Sequence, residues 1–475
     1  MSRIGLGRHV SLLDDEGVDT PVDNGEVAVE EEVSAPIVEA TEETAEVEAE
    51  DIGAEQAMDS HETLEEVEDA VIAAEADGGL DRQSAVFAHL AMKAAMGKAD
   101  YDYFVRSSKI PSVESYSGGS TSRQRYTTIT KEGIGTALRG FWEAIVRQIK
   151  KMWAAVKNWY LKVLDAAPRM KARAEALAKK AGDITGSASE KSFDMGGLNQ
   201  LHISGKAPAP SDAIKVMKTL AKGAEECLGN KTSGSYDKVF ENNERLLEKV
   251  KDLKNKDVKG SENLSDWYEN VDKKGAKDKS EELAKGYETG FDISKSNVDG
   301  SAEKRFGKDV SVKVSDELFG GRQVAMFKSK IDDDKFTIVK FARTSGPRFV
   351  DAKEKPRDID SSGNFKTLSS SDIRSLMDEL ADICDHIITY KKAWDNRDKQ
   401  FSKMDNAAKK AVDEADKDKD AHRIKVRLVK DVALGMSATY QLGIRFENQL
   451  IQYLLAVGRT TITWVERSLS QYKSA

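Results

Sequence analysis

The clearest pattern of apolar positions lies in the last quarter of the chain. Apolar side chains there recur at alternating steps of three and four for about 40 residues, the period of one helix face. The positions are Ile373, Leu376, Leu380, Ile383, Ile387, Tyr390, Trp394, Phe401, Met404, Ala408 and Ala411, with Arg397 as a charged member of the same stripe. A second stretch with this period runs from residue 436 to residue 464, after a polar link at 416–420. Residues 369–475 are therefore predicted to form a long antiparallel helical hairpin.

A second amphipathic pattern covers residues 131–182 and combines aromatic with basic side chains. Its stripe, at steps of three and four, comprises Trp142, Ile145, Ile149, Met152, Val156, Trp159 and Val163. The other face carries mostly lysine and arginine. Pro168 is expected to interrupt or re-cap this helix, because proline donates no backbone hydrogen bond.

The remaining segments give weaker patterns. Residues 81–106 predict a short helix, and the Ser/Thr/Gly-rich residues 107–130 predict a linker. Residues 183–368 predict mixed helices with a small antiparallel sheet, because strand-like alternation occurs in four places. These places are residues 198–204, 310–314, 323–328 and 336–342. The predicted fold class is mainly α, a long helical hairpin or bundle with a small antiparallel β-sheet insert (α+β) and a disordered acidic N-terminus.

Charge divides the chain into two parts. Its 475 residues have a net charge of −9, but residues 1–80 contain 25 acidic groups against only Arg3 and Arg8. The remainder carries a net charge of +14. Residues 1–80 contain no aromatic residue, so they are predicted to be a disordered acidic leader or propeptide. This leader is either a solubilising tail or a removable segment that masks the basic body, and residues 61–76 could form a short helix on meeting a partner.

No pattern of catalytic residues stands out. Phosphate-binding glycine loops and nucleophile elbows have no sequence signature here, and His61-Glu62 lacks the second histidine of a zinc motif. Asp416, Asp418 and Asp420 resemble the start of a calcium loop without its glycine. The two cysteines, Cys227 and Cys384, are too few for a disulfide framework. We predict no catalytic residue, no metal site and no cofactor, and therefore a protein that is not an enzyme.

The basic aromatic helix has three interpretations. It packs as one arm of a helical bundle, it lies at a membrane interface, or its cations contact nucleic-acid phosphates. The candidate membrane or nucleic-acid contacts are Trp142, Arg147, Lys150, Lys151, Trp153, Lys157, Trp159 and Lys162.

The layout as a whole resembles the internal head (inner capsid) proteins of large tailed bacteriophages. The resemblance rests on the acidic leader, on the Trp/Lys-rich sequence of residues 140–180 and on the C-terminal hairpin. It implies that a prohead protease removes the leader by cutting after Glu in a small-residue-x-Glu context. The matching candidates in the leader are Glu30, Glu42, Glu55, Glu62 and Glu75.

This resemblance implies a structural virion protein inside the phage head, bound non-specifically to packaged DNA once its leader is removed. Its partners would be packaged DNA, other head or core proteins, the prohead protease and, on ejection, the host membrane. It would occupy the capsid interior, and the host cytoplasm during assembly. Two alternatives remain: a membrane-active helical protein with an inhibitory pro-segment, and an assembly scaffold or core protein.

Overall fold

The part of the chain that the structure describes is mostly helical with two small antiparallel sheets, which confirms the predicted fold class. The computed structural model describes residues 60, 63–64, 67–68, 70–75, 77–96, 101–102, 119–184, 186–194, 196, 198–228, 241, 244–254, 287–296, 310–329, 338–339, 345–352, 364–417 and 423–472. The predicted disorder of the acidic leader falls mostly outside these residues.

The C-terminal hairpin forms as predicted. Helix α4 spans Ser370–Lys417 and helix α5 spans Arg423–Ser470, each about 70 Å long at 1.5 Å per residue. Ser369 and Asp372 start α4 with a reciprocal cap, because each side chain accepts a hydrogen bond from the backbone N–H of the other at 3.2 Å. The apolar stripe of α4 is buried along its length.

The basic aromatic segment belongs to one helix, α2, which spans Ser120–Asp183 and contains Pro168. The predicted break at Pro168 is therefore wrong. Pro168 is itself exposed, whereas Ala166, Ala167 and Met170 around it are buried in the core. Their packing outweighs the one backbone hydrogen bond that proline removes.

The predicted linker is also wrong in its second part, because residues 120–130 form the first turns of α2. Tyr126, Thr127 and Thr130 are buried there. Thr127 Oγ1 donates to the carbonyl of Arg123 at 2.7 Å and accepts a hydrogen bond from Leu80 N at 2.8 Å. These contacts hold a Ser/Thr-rich segment in a helix, although its composition is typical of a loop. Residues 107–118 lie outside the described residues.

A separate group of buried side chains, the N-terminal cluster, joins three segments. They are the helical residues between 60 and 75, helix α1 (Arg82–Met96) and residues 126–138 of α2. Its members are Leu64, Val67, Val71, Leu80, Ala85, Ala88, Met92, Met96, Tyr126, Ile134, Ala137 and Leu138. The predicted leader boundary at residue 80 is thus too late, because residues 64–80 already contribute buried side chains to a packed cluster.

The described strands form two sheets. Strands β1 (Ser192–Asp194) and β6 (Asn364–Lys366) pair antiparallel, and β2 (Lys295–Ser296), β3 (Val310–Val314), β4 (Arg322–Ser329) and β5 (Gly346–Asp351) form an antiparallel sheet in sequence order. In the β3–β4 pair, Val312 lies opposite Phe327. Gly320 and Gly321 turn the chain between these strands at φ values of 70° and 69°, which glycine adopts without strain.

Two of the four predicted strands are confirmed, those at residues 310–314 and 323–328. Residues 198–204 instead contain a 3₁₀ turn, Asn199–Leu201, and an isolated bridge from Ile203 to Lys206. Ile338 and Val339, within the predicted strand at 336–342, are helical. Ile338 packs against Gly435 of α5, and its N–H donates to Asp431 Oδ2 at 3.1 Å, so contact with α5 decides its conformation.

The main core lies between residues 145–181 of α2, helix α3 (Pro210–Leu228) and the α4–α5 hairpin. Its largest fully buried side chains include Tyr160, Tyr390, Phe446 and Trp464. Side chains from β4 and β6 and from helical residues 244–252 close it. Helix α2 therefore has one face fixed on this core, and its other face is left to solvent.

Candidate nucleic-acid interface

The aromatic side of α2 faces the main core. The ring of Trp153 stacks on the rings of Trp394 and Phe401 of α4, each at a centroid distance of 4.7 Å. Tyr160 packs on Trp394 at 4.9 Å and meets Tyr390 edge-on at 5.8 Å. Trp153 is only 8% exposed, so its prediction as a membrane or nucleic-acid contact is wrong. The bundle-packing interpretation holds for this side of the helix.

The opposite side of α2 carries a row of exposed cations, which we call the cationic face. At 100° per residue, its members occupy less than half of the helix circumference, opposite Ile145, Val156 and Met170. They are Arg147, Lys150, Lys151, Lys157, Arg169, Lys179 and Lys180. From Arg147 to Lys180 the row extends about 50 Å along the helix axis.

Some basic side chains of α2 bind acidic groups of the neighbouring helices. Lys150 Nζ lies 3.0 Å from Asp405 Oδ2, and Lys171 Nζ donates to Asp385 Oδ1 at 2.6 Å. The hydrogen bond to Asp385 raises the pKa of Lys171. Arg173 binds Glu466 of α5. These pairs lie at the edges where α2 meets α4 and α5.

Other cations of the face have no such partner. Within the residues that the structure describes, Arg147, Lys151, Lys179 and Lys180 form neither an ion pair nor a side-chain hydrogen bond. Four positive charges on one helix are therefore available to an external polyanion. The sequence analysis identified Arg147 and Lys151 as contact candidates. It did not identify Lys179 and Lys180, although the same helical period places them on this face.

The other predicted contact and cleavage residues divide as follows. The side chains of Trp142, Trp159 and Lys162 are not described. Glu30, Glu42, Glu55 and Glu62 lie outside the described residues. Glu75 is described: it lies in a helical turn, and its Oε2 accepts a hydrogen bond from Lys131 Nζ at 2.6 Å.

The sequence did not reveal a buried polar cluster inside the hairpin. Arg397 Nη1 donates to Tyr390 OH at 2.8 Å and binds Glu447 Oε2, which also accepts a hydrogen bond from Tyr390 OH. Arg397 is 2% exposed and Glu447 fully buried. Burial raises the pKa of Glu447, and Arg397 opposes this shift. Arg397 within an apolar stripe was the only sequence signal, and it did not identify the partner.

The described residues give little support to a reactive thiol, a metal site or a membrane-spanning helix. Cys227 and Cys384 are buried free thiols, and burial raises the pKa of Cys384 to about 12. Among the described residues, no three His, Cys, Asp or Glu side chains come together as a metal site would require. In the same part of the chain, no helix combines the length and apolar content needed to cross a membrane.

Comparison with known proteins decides the family. The sequence model of the phiKZ-like phage internal head proteins matches residues 39–461, which include every helix and strand named above except the end of α5. The chain belongs to this family. As a phiKZ-like phage internal head protein, it is a structural component of the phage head and resides in the head interior. No curated protein and no solved structure matches it.

The family confirms the resemblance drawn from the sequence. Internal head proteins are structural, the class that the sequence favoured over an enzyme. For a protein inside a phage head, packaged DNA is the polyanion that lies nearby. The cationic face of α2 is therefore the candidate interface of this phiKZ-like phage internal head protein.

Proposed function

We propose that this internal head protein associates non-specifically with packaged DNA through the cationic face of α2, after a prohead protease has removed its acidic leader. Other head or core proteins are its further partners. The observation that carries the proposal is the set of exposed, unpaired cations Arg147, Lys151, Lys179 and Lys180 on a helix whose other side is buried.

The shape of the face suits a backbone contact. The row extends about 50 Å along α2, and a duplex presents a phosphate charge about every 1.7 Å of its axis when both strands are counted, so the face can contact several phosphates at once. Binding of this kind gains free energy from counterion release and reads no base sequence. Trp153 and Tyr160, which could stack on bases or enter a lipid interface, are buried against α4.

The leader controls the sign of the charge. Residues 1–55 contain 17 acidic groups and two arginines, so cutting after Glu55 changes the net charge from −9 to +6. A tethered polyanion competes with DNA for the same lysines and arginines, and its removal ends that competition. Before the cut, the leader would keep the protein off nucleic acid in the host cytoplasm during assembly.

The test compares the same chain before and after cutting. A recognition site for an unrelated, sequence-specific protease is inserted after Glu55 of the full-length protein, which is folded and then cut. We expect the uncut protein to bind duplex DNA weakly at 100 mM salt. The cut protein should bind random duplexes alike, with an affinity that falls steeply as salt rises. Fluorescence anisotropy over a salt series measures both.

Substitution of the face tests where binding occurs. The plot of log affinity against log salt has a negative slope, which becomes less steep by about 0.9 for each lost phosphate contact. The slope of the fourfold variant should therefore be less steep than that of the wild type by about 3 to 4. That variant is Arg147→Gln, Lys151→Gln, Lys179→Gln and Lys180→Gln. A control of equal charge is Lys206→Gln, Lys313→Gln, Lys403→Gln and Lys410→Gln, all exposed on other elements. Equal slopes for the two variants would refute the proposed interface.

A further inference from the structure

The end of the acidic leader is packed onto the body. Leu64, Val67 and Val71 follow one another at steps of three and four, and each is less than 8% exposed. They lie against α1 and the first turns of α2 in the N-terminal cluster. The described helical residues 63–64, 67–68 and 70–75 therefore form a docked element, which we call the docked helix.

Two ion pairs fix the docked helix to the basic body. Glu68 Oε2 lies 3.2 Å from Arg427 Nη2 at the start of α5, and both side chains are mostly buried. Glu75 Oε2 lies 2.6 Å from Lys131 Nζ of α2. Glu68 and Glu75 of the docked helix are thus bound to cations of the same chain.

The junction after the docked helix is equally defined. Gly79 N donates to the carbonyl of Ala74 at 2.7 Å, and Gly78 and Gly79 have φ values of +88° and +102°, the conformation of a glycine helix end. A Cβ on Gly79 would lie 2.8 Å from the backbone carbon of Arg123. Arg123 Nη2 donates to the carbonyl of Gly79 at 2.9 Å, so the chain lies directly on α2 at this point.

This packing protects one candidate cleavage site. A protease binds its substrate as an extended segment, whereas Glu75 lies in the last turns of a helix. To extend this turn, the end of the docked helix would have to leave the N-terminal cluster, which exposes Val71 and breaks the contact of Gly79 with Arg123. Glu75 has the same small-residue-x-Glu context as the upstream candidates, but its backbone is helical and not available to a protease.

We propose that residues 64–80 are a permanent part of the mature body, so that leader removal ends upstream of Leu64 and spares Glu75. The inference rests on the proposed leader removal for its consequence in the virion, although the docking itself does not. The mature protein then keeps Glu65, Glu66, Glu68, Asp69 and Glu75. Its net charge would be +6 after a cut at Glu55, compared with +13 after a cut at Glu75.

Limited proteolysis of the full-length folded chain tests this. A Glu-specific endopeptidase is added, and mass spectrometry follows the cut after each glutamate. The rate after Glu75 is compared with the rate at the same bond in a synthetic peptide of residues 68–84. We expect cutting after Glu75 to be at least about 100-fold slower in the folded chain. A 100-fold protection corresponds to a free energy of about 2.7 kcal/mol for opening the docked packing. Equal rates would overturn the proposal.

Paired variants separate docking from local sequence. Val71→Asp places a charge at a buried position of the cluster and should bring the rate at Glu75 to within about threefold of the peptide. Ala70→Asp adds the same charge at the neighbouring exposed position and should leave the protection intact. If both variants keep the protection, or if both lose it, the docked packing is not its cause and the proposal fails.

The virion distinguishes this inference from the proposed function. Peptides of residues 64–80 in purified heads, together with the loss of upstream peptides, would support both. A mature protein that begins at Ala76 would overturn the inference that residues 64–80 are retained and would uphold leader removal. An intact N-terminus in heads would refute leader removal, and the proteolysis above would still decide whether the helix is docked.

Discussion

Replacing Arg397 with methionine should destabilise the hairpin strongly. Arg397 on α4 and Glu447 on α5 bind each other in the core, and both bind Tyr390 OH. Methionine has a similar length and is apolar, so it fills the space of the arginine stem. It leaves the Glu447 carboxylate buried without its cation, and that is the source of the predicted effect.

The size of the effect follows from burial. At an effective dielectric constant near 20, two unit charges 4 Å apart attract by about 4 kcal/mol, which is comparable with the loss of several kcal/mol of hydration per buried ion. Removing one partner therefore costs about 3–5 kcal/mol. Arg397→Met combined with Glu447→Leu removes both charges and should be within about 1 kcal/mol of the wild type, or more stable.

Urea unfolding measures this, with tryptophan fluorescence as the probe. The chain has six tryptophans, of which Trp153 on α2 and Trp394 on α4 stack on each other, so the change in total emission includes the separation of these two helices. The free energies of unfolding of the wild type, both single variants and the double variant complete a double-mutant cycle. We expect a coupling energy of at least about 3 kcal/mol. Single variants that each cost under about 1 kcal/mol and add independently would refute the reasoning.

The pH dependence gives a second check on the same cluster. Burial raises the pKa of Glu447 above its ordinary value of 4.5, while Arg397 lowers it, so loss of Arg397 raises the folded-state pKa further. A group with a raised folded-state pKa contributes stability below its unfolded pKa and loses it as the pH rises. The deficit of Arg397→Met should therefore be smallest below pH 4.5 and should grow toward neutral pH. A deficit independent of pH would contradict this assignment.

Three further substitutions test the packing of α2 and of the segment that lies on it. Trp153→Ala should lower the free energy of unfolding by about 3–5 kcal/mol in urea and leave the salt dependence of DNA binding unchanged, because Trp153 is buried. A loss of DNA binding without a loss of stability would contradict its position. Gly79→Ala should destabilise the N-terminal cluster by more than about 2 kcal/mol, since positive φ adds about 1–2 kcal/mol of strain and a backbone clash adds more. Gly78→Ala shares the strain without the clash and should cost only about 1 kcal/mol, as measured by hydrogen exchange in α1.

The elements predicted correctly are those whose pattern is long and local. The stripe of α4 repeats over many turns, and Ser369 and Asp372 mark its start within the sequence itself. The exposed positions of Arg147 and Lys151 followed from the same helical period. Such signals are contained in neighbouring residues, so no knowledge of the tertiary structure was needed.

The errors arose where distant contacts decide the local structure. Ser120–Thr130 has the composition of a loop, but Leu80, 47 residues before Thr127, donates its N–H to the side chain of Thr127 in a helix, a contact that the sequence does not reveal. Ile338 is helical because it meets Gly435 of α5, nearly 100 residues later. The partner of Arg397 is 50 residues away on another helix. Propensity alone therefore could not predict these features.

Three glycines of α2 precede its first main-core residue: Gly133 and Gly135 lie within the stretch that forms the N-terminal cluster, and Gly140 directly follows it. Each makes a helix interior less stable than alanine would by roughly 0.5–1 kcal/mol. Fraying that begins at Ser120 thus meets a weak stretch before it reaches Ile145, the first core residue beyond it. Because its two ends pack in separate clusters, we expect α2 to open in two steps: the end that holds the docked helix opens first, and the end that packs on the main core keeps its shape.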